Sequence, residues 1–369
     1  MNVYDYSNIF LKGVGIVNKQ SVYNIDMDRK KIFEEILGVT KVVAPAVVTQ
    51  QVYSKMFNHH FLTFKPFYFE QSDFPNLDSK RYTFYSCNKH KLVGYIYSDK
   101  SVKKQGIFVF CHGYGGGGHH CYLDLINVLC TMGYYVFAYD ATANDESEGT
   151  SIKGFTQGFL DADKALSFVE GLDEYKKLPL YLMGHSWGAY SSSVALEYHK
   201  RVKGLIAFSG FNSATTIFKA NGERFAGEKA NDFMLYVDTY EHFLFGKICE
   251  SNALHSFANS KAKIVIVHSE DDQTVPIEAG FSLYKKQFGK DKRFKFIKLL
   301  EHGHGTVYYT LEGKHYYDKV HHEYDKFVKK NKPDEDTKVA YIKEHLDREK
   351  YNHMVDTKLI KKCIDFITK

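Results

Sequence analysis

Cysteine is scarce in this chain, and no two of the six residues stand in a C-x-x-C spacing: Cys87, Cys111, Cys121, Cys130, Cys249 and Cys363 are scattered. That excludes a zinc ribbon and a thioredoxin-like redox motif, and it leaves no disulfide framework of the kind that staples small secreted domains. Several of these cysteines fall inside apolar runs, where a thiol behaves as a small apolar side chain. A reducing, cytoplasmic compartment is the expectation. Blocks of like charge are also missing. The 49 basic and 44 acidic side chains leave a net charge of +5, dispersed along the chain, so no nucleic acid or acidic polymer is indicated as a partner. Nor is there an apolar run fit to span a bilayer: the longest uncharged stretches, 105–123 and 178–196, are broken by glycines, histidines and serines. The opening MNVYDYSNIFLKG carries Asp5 and lacks a basic segment ahead of an apolar one, so neither a secretory leader nor stable membrane insertion is expected.

What is present is ample material for a core. At 369 residues and 44% hydrophobic content, the chain is long enough for one large domain with insertions or for two domains. Residues 1–78 read as an N-terminal helical extension. A helical pattern covers 27–37, and the apolar stretch 42–57 is broken by Pro45. Its charges do not segregate onto one face, so it is expected to pack on the main domain, 79–369, and not on a membrane surface.

From Arg81 a rhythm sets in. Strands are predicted at 82–87, 92–97, 108–111, 134–139, 178–183, 202–208, 264–268 and 294–299, and helices at 122–131, 159–170, 187–198 and 277–288. Two antiparallel strands followed by β/α alternation imply an α/β fold, a mostly parallel sheet covered by helices on both faces. Residues 212–262, with the aromatic-rich DFMLYVDTYEHFLF, interrupt the rhythm as a cap insertion would. Further on, 314–330 reads as a basic amphipathic helix, 332–338 as a charged connector and 356–367 as a final helix.

Two glycine-bearing stretches carry the chemistry. CHGYGGGGHH, residues 111–120, satisfies G-x-G-x-x-G through Gly113, Gly115 and Gly118, and a strand ending in Asp140 follows it. A loop of that kind suits a dinucleotide phosphate or an oxyanion equally well, since both require exposed amides and an absence of side chains. The second stretch decides between them. The apolar run 178–183 ends in Gly184-His185-Ser186-Trp187-Gly188 and turns into a helical pattern, the strand, turn and helix of a G-x-S-x-G nucleophile elbow. A serine nucleophile requires a base and a group to orient that base. After the strand at 264–268 comes SEDDQTVP with Glu270, Asp271 and Asp272; after the strand at 294–299 comes EHGHG with His302 and His304. Loop position alone leaves Asp271 or Asp272, and His302 or His304, open. His112, His119 and His120 have no acidic or cysteine partners at metal-ligand spacing and read as polar loop groups, while Asp140 reads as structural.

With these residues in view, the chain resembles the α/β-hydrolase superfamily, in particular bacterial serine hydrolases of the esterase, lysophospholipase and serine aminopeptidase-like group. The resemblance covers about 81–330. It implies Asp272 as the acid, because Val275-Pro276 follow at the family's usual distance, and His304 as the base, because a glycine precedes it. It also places His112-Gly113 at the head of the oxyanion loop, with the amides of Tyr114 and Trp187 as donors. Two departures stand out: Ser269 replaces a glycine common in the acid loop, and Asp145-Glu146-Ser147-Glu148-Gly149 replaces a glycine-rich stretch. The implied activity is hydrolysis of a small-molecule acyl ester with an apolar acyl group through an acyl-enzyme, without cofactor or metal. A peptidase, a thioesterase or a non-catalytic binding protein of the same fold remains open at this point.

Overall fold

The strands form because their sequences offer β-branched and aromatic side chains in runs of the right length, and the character of each run sets its place in the sheet. In the computed structural model, which describes residues 45–369, β3 (Gly106–Cys111) and β5 (Leu180–His185) are buried at every position, and β6 (Val202–Phe208) and β7 (Lys263–Ser269) at nearly every one. Such near-continuous apolar runs belong to parallel strands covered on both faces. With β1 (Leu77–Tyr85), β2 (Lys91–Asp99), β4 (Tyr134–Tyr139) and β8 (Phe294–Leu299) they make one eight-stranded sheet in the order β1-β2-β4-β3-β5-β6-β7-β8. The pairs β1·β2 and β2·β4 are antiparallel, in register Leu77↔Asp99 and Gly94↔Tyr139, and every later pair is parallel.

The chain steps from β3 outward to β4, then returns across β3 to β5 and continues the other way. This reversal opens a crevice at the carboxyl ends of β3 and β5, where open α/β sheets bind their ligands.

Helices cover both faces. On one lie α3 (Thr156–Gly171) and α4 (Trp187–Ala195), joined by α7 (Ala253–Asn259) and α8 (Phe281–Phe288); on the other lie α2 (Leu123–Thr131) and the C-terminal helices α9 (Leu311–Asn331), α10 (Glu335–His345), α11 (Arg348–Asn352) and α12 (Thr357–Thr368). Among the described residues no helix is long and apolar enough to cross a membrane.

Several boundaries differ from the sequence reading. The helix read at 187–198 ends at Ala195. That read at 277–288 is split, because the carbonyl of Ala279 accepts the amide of Asn212 at 2.8 Å and leaves a 3-10 turn ahead of α8. The charged connector is largely α10: Asp334 caps it by accepting from Thr337 N at 2.8 Å, and Glu335 and Asp336 sit in its first turn, a helix-start pattern that a count of charges hides.

Residues 212–262 hold α5 (Ala214–Ala226) and α6 (Asn231–Phe245) as well as α7, which packs back on α4 with Ser256 Oγ donating to Val194 O at 3.0 Å. The helical pattern at 27–37 lies outside the described residues. The stretch that follows it is α1 (Pro45–Phe57), which starts at Pro45, where a proline costs no helical hydrogen bond.

Candidate active site

Between β5 and α4 the chain turns on a single residue. Ser186 has φ 55° and ψ −118°, a conformation that costs a non-glycine residue on the order of 1–3 kcal/mol and persists only where the surroundings enforce it. They do so from both ends: the Ser186 amide donates to Phe208 O at 2.8 Å and its carbonyl accepts Tyr190 N at 3.0 Å. Close packing of the elbow explains its second glycine, since a Cβ on Gly188 would lie 1.9 Å from the carbonyl oxygen of Cys111. The hydroxyl of Ser186 thus sits at the carboxyl end of β5, beside the crevice.

Two loops bring partners to it. The loop after β8 carries His304, whose Nε2 lies 2.8 Å from Ser186 Oγ. The loop after β7 carries Asp272, whose Oδ2 lies 2.7 Å from His304 Nδ1. Facing a carboxylate, Nδ1 holds the ring proton, and Nε2 is left as the acceptor for the serine hydroxyl. Asp272 Oδ1 takes the amides of Thr274 and Val275 at 2.9 and 2.8 Å. Although burial alone raises its pKa, the neighbouring His304 and His268 hold the Asp272 carboxyl well below the usual carboxylate range. All three side chains are buried, Asp272 fully.

The oxyanion candidates are backbone amides, one on the glycine loop after β3 and one at the start of α4. His112 Nε2 accepts the amide of Ala141 at 3.0 Å, so the proton is on Nδ1, which donates to Gly113 O at 2.7 Å. Burial lowers the His112 pKa and keeps the ring neutral. A trans peptide points its C=O and N–H in opposite directions, so fixing the Gly113 carbonyl also fixes the Tyr114 amide. The Trp187 amide belongs to the first residue of α4, at the positive end of a helix. The Trp187 indole itself is packed away, its Nε1 donating to Phe155 O at 2.7 Å.

Asp271 and His302 have other places. Asp271 Oδ1 accepts from Ser269 Oγ at 2.5 Å and from Gly303 N at 2.9 Å, and Ser269 Oγ accepts from His302 N at 3.0 Å. The serine that departs from the family pattern therefore staples the acid loop to the histidine loop.

Other amides of the glycine loop are engaged by carboxylates. Gly118 N donates to Asp145 Oδ2 at 2.8 Å, and His119 N to Asp140 Oδ1 at 3.0 Å. A dinucleotide phosphate there would meet two negative charges. His119 is tied to Asp140 and Tyr97, and among the described residues no group of three or more His, Cys, Asp or Glu side chains is placed to hold a metal ion.

Comparison with known proteins bears on the same region. The family model described as serine aminopeptidase, S33, matches residues 102–234, which include the glycine loop and the elbow but neither Asp272 nor His304. Among solved structures, an esterase of Pyrococcus furiosus aligns with a TM-score of 0.52 at 16% identity, over 71% of this chain and 94% of the esterase. The chain has the α/β-hydrolase fold.

Sequence relatives include the lysophosphatidylserine lipase ABHD12 of Macaca fascicularis, 27% identical over 51% of this chain and 47% of that protein, and its Bos taurus counterpart, 27% identical over 58% and 56%. A proline iminopeptidase of Saccharolobus solfataricus is 30% identical over 36% of this chain and 42% of its own length. The chain spans about half the length of these curated relatives.

Reasoning from sequence missed one polar neighbour of the site that helix and strand patterns conceal. His268, near the end of β7, donates from Nε2 to Val275 O at 2.9 Å and stands 3.3 Å from Asp272 Oδ2. A histidine closing an otherwise aliphatic strand, four residues before the acid, was the available signal.

Proposed function

We propose that the protein is a serine hydrolase that cleaves carboxylic esters of small or medium apolar acyl groups. The observation that carries this reading is the continuous hydrogen-bonded run from Ser186 Oγ through His304 to Asp272, at 2.8 and 2.7 Å. Ser186 Oγ attacks the acyl carbonyl while its proton passes to His304 Nε2. The imidazolium so formed is stabilised by Asp272, and the proton is returned to the leaving alkoxide. The amides of Tyr114 and Trp187 receive the tetrahedral oxyanion, a contribution of about 3–4 kcal/mol per donor in comparable sites. Water, deprotonated by His304, then releases the acid from the acyl-enzyme.

An apolar acyl group fits the surroundings. α5 and α6 serve as the cap, and α1 joins them: Phe155 packs against Phe57, Phe211 and Phe218 at ring separations of 5.0 to 5.6 Å. These rings are buried and pack on one another, and an apolar roof of that kind suits hydrocarbon over charge. The names of the relatives, a lipase and an esterase among them, point the same way.

The test is labelling of the purified protein and of Ser186→Ala with a fluorophosphonate, with p-nitrophenol release followed from acetyl, butyryl and octanoyl esters. Labelling and turnover are expected in the wild type, and both are expected to vanish in the variant. Folded wild-type protein that neither labels nor turns over would overturn the reading.

A further inference from the structure

The histidine inside the elbow has no part in the reaction proposed above, yet it is as deeply buried as the serine beside it. His185 is 1% exposed, and its ring centroid lies 4.8 Å from that of His304. Its Nε2 lies 3.0 Å from the backbone carbonyl of His304, and its Nδ1 lies 2.9 Å from the hydroxyl of Tyr122. That hydroxyl in turn stands 3.0 Å from the amide of Gly113.

The protons along this run have a single arrangement. A carbonyl only accepts, so His185 Nε2 carries a hydrogen. Burial holds the His185 pKa down to about 3, so the ring is neutral and Nδ1 presents a lone pair. Tyr122 must then donate to Nδ1, and its oxygen accepts the Gly113 N–H. The close approach is built into the loop: a Cβ on residue 113 would lie 2.6 Å from Tyr122 Oη and 3.4 Å from His185 Nδ1.

On the reading that Ser186 and His304 are catalytic, we infer that His185 and Tyr122 are positioning residues that clamp the oxyanion loop after β3 to the base loop after β8. The Gly113 residue is then held at both ends, by Tyr122 through its amide and by His112 through its carbonyl. The His304 backbone is held by His185, while its ring is held by Asp272. Without the clamp, the loops would still fold on the sheet but lose their mutual register. The reaction suffers in that case, because donor and base must both meet one tetrahedral centre.

Tyr122→Phe tests this with little change of volume, since the ring keeps its packing against Phe110 and Tyr308. Active sites are first counted with a fluorophosphonate, so that misfolded molecules do not enter the rate. Per titrated site, kcat on the preferred p-nitrophenyl ester is expected to fall about 10- to 100-fold with KM changed less than about threefold. Affinity for an alkyl boronic acid, which mimics the tetrahedral oxyanion, is expected to fall in parallel. His185→Leu is expected to do the same, and the double variant to lose no more than the worse single one, because both break one run.

A purely structural role would lower the unfolding temperature and the titrated fraction while leaving kcat per site and boronate affinity unchanged. That result in Tyr122→Phe overturns the clamp but not the hydrolase. A wild type that does not react with the fluorophosphonate overturns both.

Discussion

Burial alone does not fix the charge of a carboxyl group, and two aspartates of this chain illustrate it. Asp272 and Asp124 are both fully buried. Two amides and two imidazoles surround Asp272 and hold it ionised. Asp124 accepts the Leu125 amide at 2.7 Å, and burial pushes its carboxyl up to about 7. The two oppose each other in the pH dependence of stability. A depressed carboxyl such as Asp272 contributes stability that is full above the ordinary carboxylate range and is lost as pH falls toward its folded value. A raised one such as Asp124 costs stability as pH climbs from about 4 through about 7, because the folded state then holds a proton the unfolded state has lost. Asp124→Asn keeps the acceptor and removes the charge. We expect it to stabilise the protein at pH 8 by on the order of 1–3 kcal/mol, with the gain shrinking as pH is lowered toward 4, as measured by urea unfolding. A gain independent of pH would show that charge is not the cause. At this scale the site was largely legible, since Ser186 announces itself by its glycines. The choice of Asp272 over Asp271 came only from the family resemblance, because what holds Asp271 aside, Ser269 Oγ at the end of β7 and Gly303 N after β8, is far apart in sequence.

Elements are harder to read than residues when their partners are distant in sequence. Helix α1 looks from its sequence like an arm, because its buried face is matched by residues some 60 to 190 positions later. In the fold, Tyr53 Oη donates to Glu241 Oε1 of α6 at 2.7 Å, and Thr156 Oγ1 donates to the other oxygen at 3.0 Å. Phe57, fully buried, packs edge to face on Tyr114 of the glycine loop, whose hydroxyl donates to Met56 O. The helix therefore ties α6 to the glycine loop after β3. Tyr53→Phe removes one of two bonds to a buried carboxyl, a loss of roughly 1–3 kcal/mol. Local opening should rise accordingly. Trypsin should then cut at the exposed Lys219 and Lys247 several-fold faster in the variant than in the wild type, well before the core unfolds. Equal cleavage rates would mean that the Tyr53–Glu241 bond does not hold the helices together.

For the molecule as a whole, the alternation of strands and helices was enough to give the sheet, since buried parallel strands are written as apolar runs whatever surrounds them. The candidate site lies at the carboxyl end of this sheet, where the loops after β7 and β8 bring Asp272 and His304 to Ser186 after β5. The second covering layer was less legible. Helices α9 to α12 carry many charges, and their apolar side chains are spaced along one narrow face, so α10 read as a connector. Yet this layer closes the face of the sheet opposite α3 and α4. Ile360 and Cys363 of α12 are fully buried, and Leu359, Ile364 and Ile367 are nearly so, with Ile367 lying against Gly204 of β6. Burial of four such aliphatic side chains, at roughly 1.5 to 3 kcal/mol each, is comparable with the whole stability of a typical domain, about 5–15 kcal/mol. α12 packs on β6 and β7, and β7 leads directly into the loop that carries Asp272. A chain ending at Asp356 should consequently lose its cooperative thermal transition and its fluorophosphonate labelling together, whereas one that keeps α12 but carries Lys361→Ser on its exposed side should keep both. A truncated protein that still unfolds cooperatively near the wild-type temperature would show that the sheet closes without this helix.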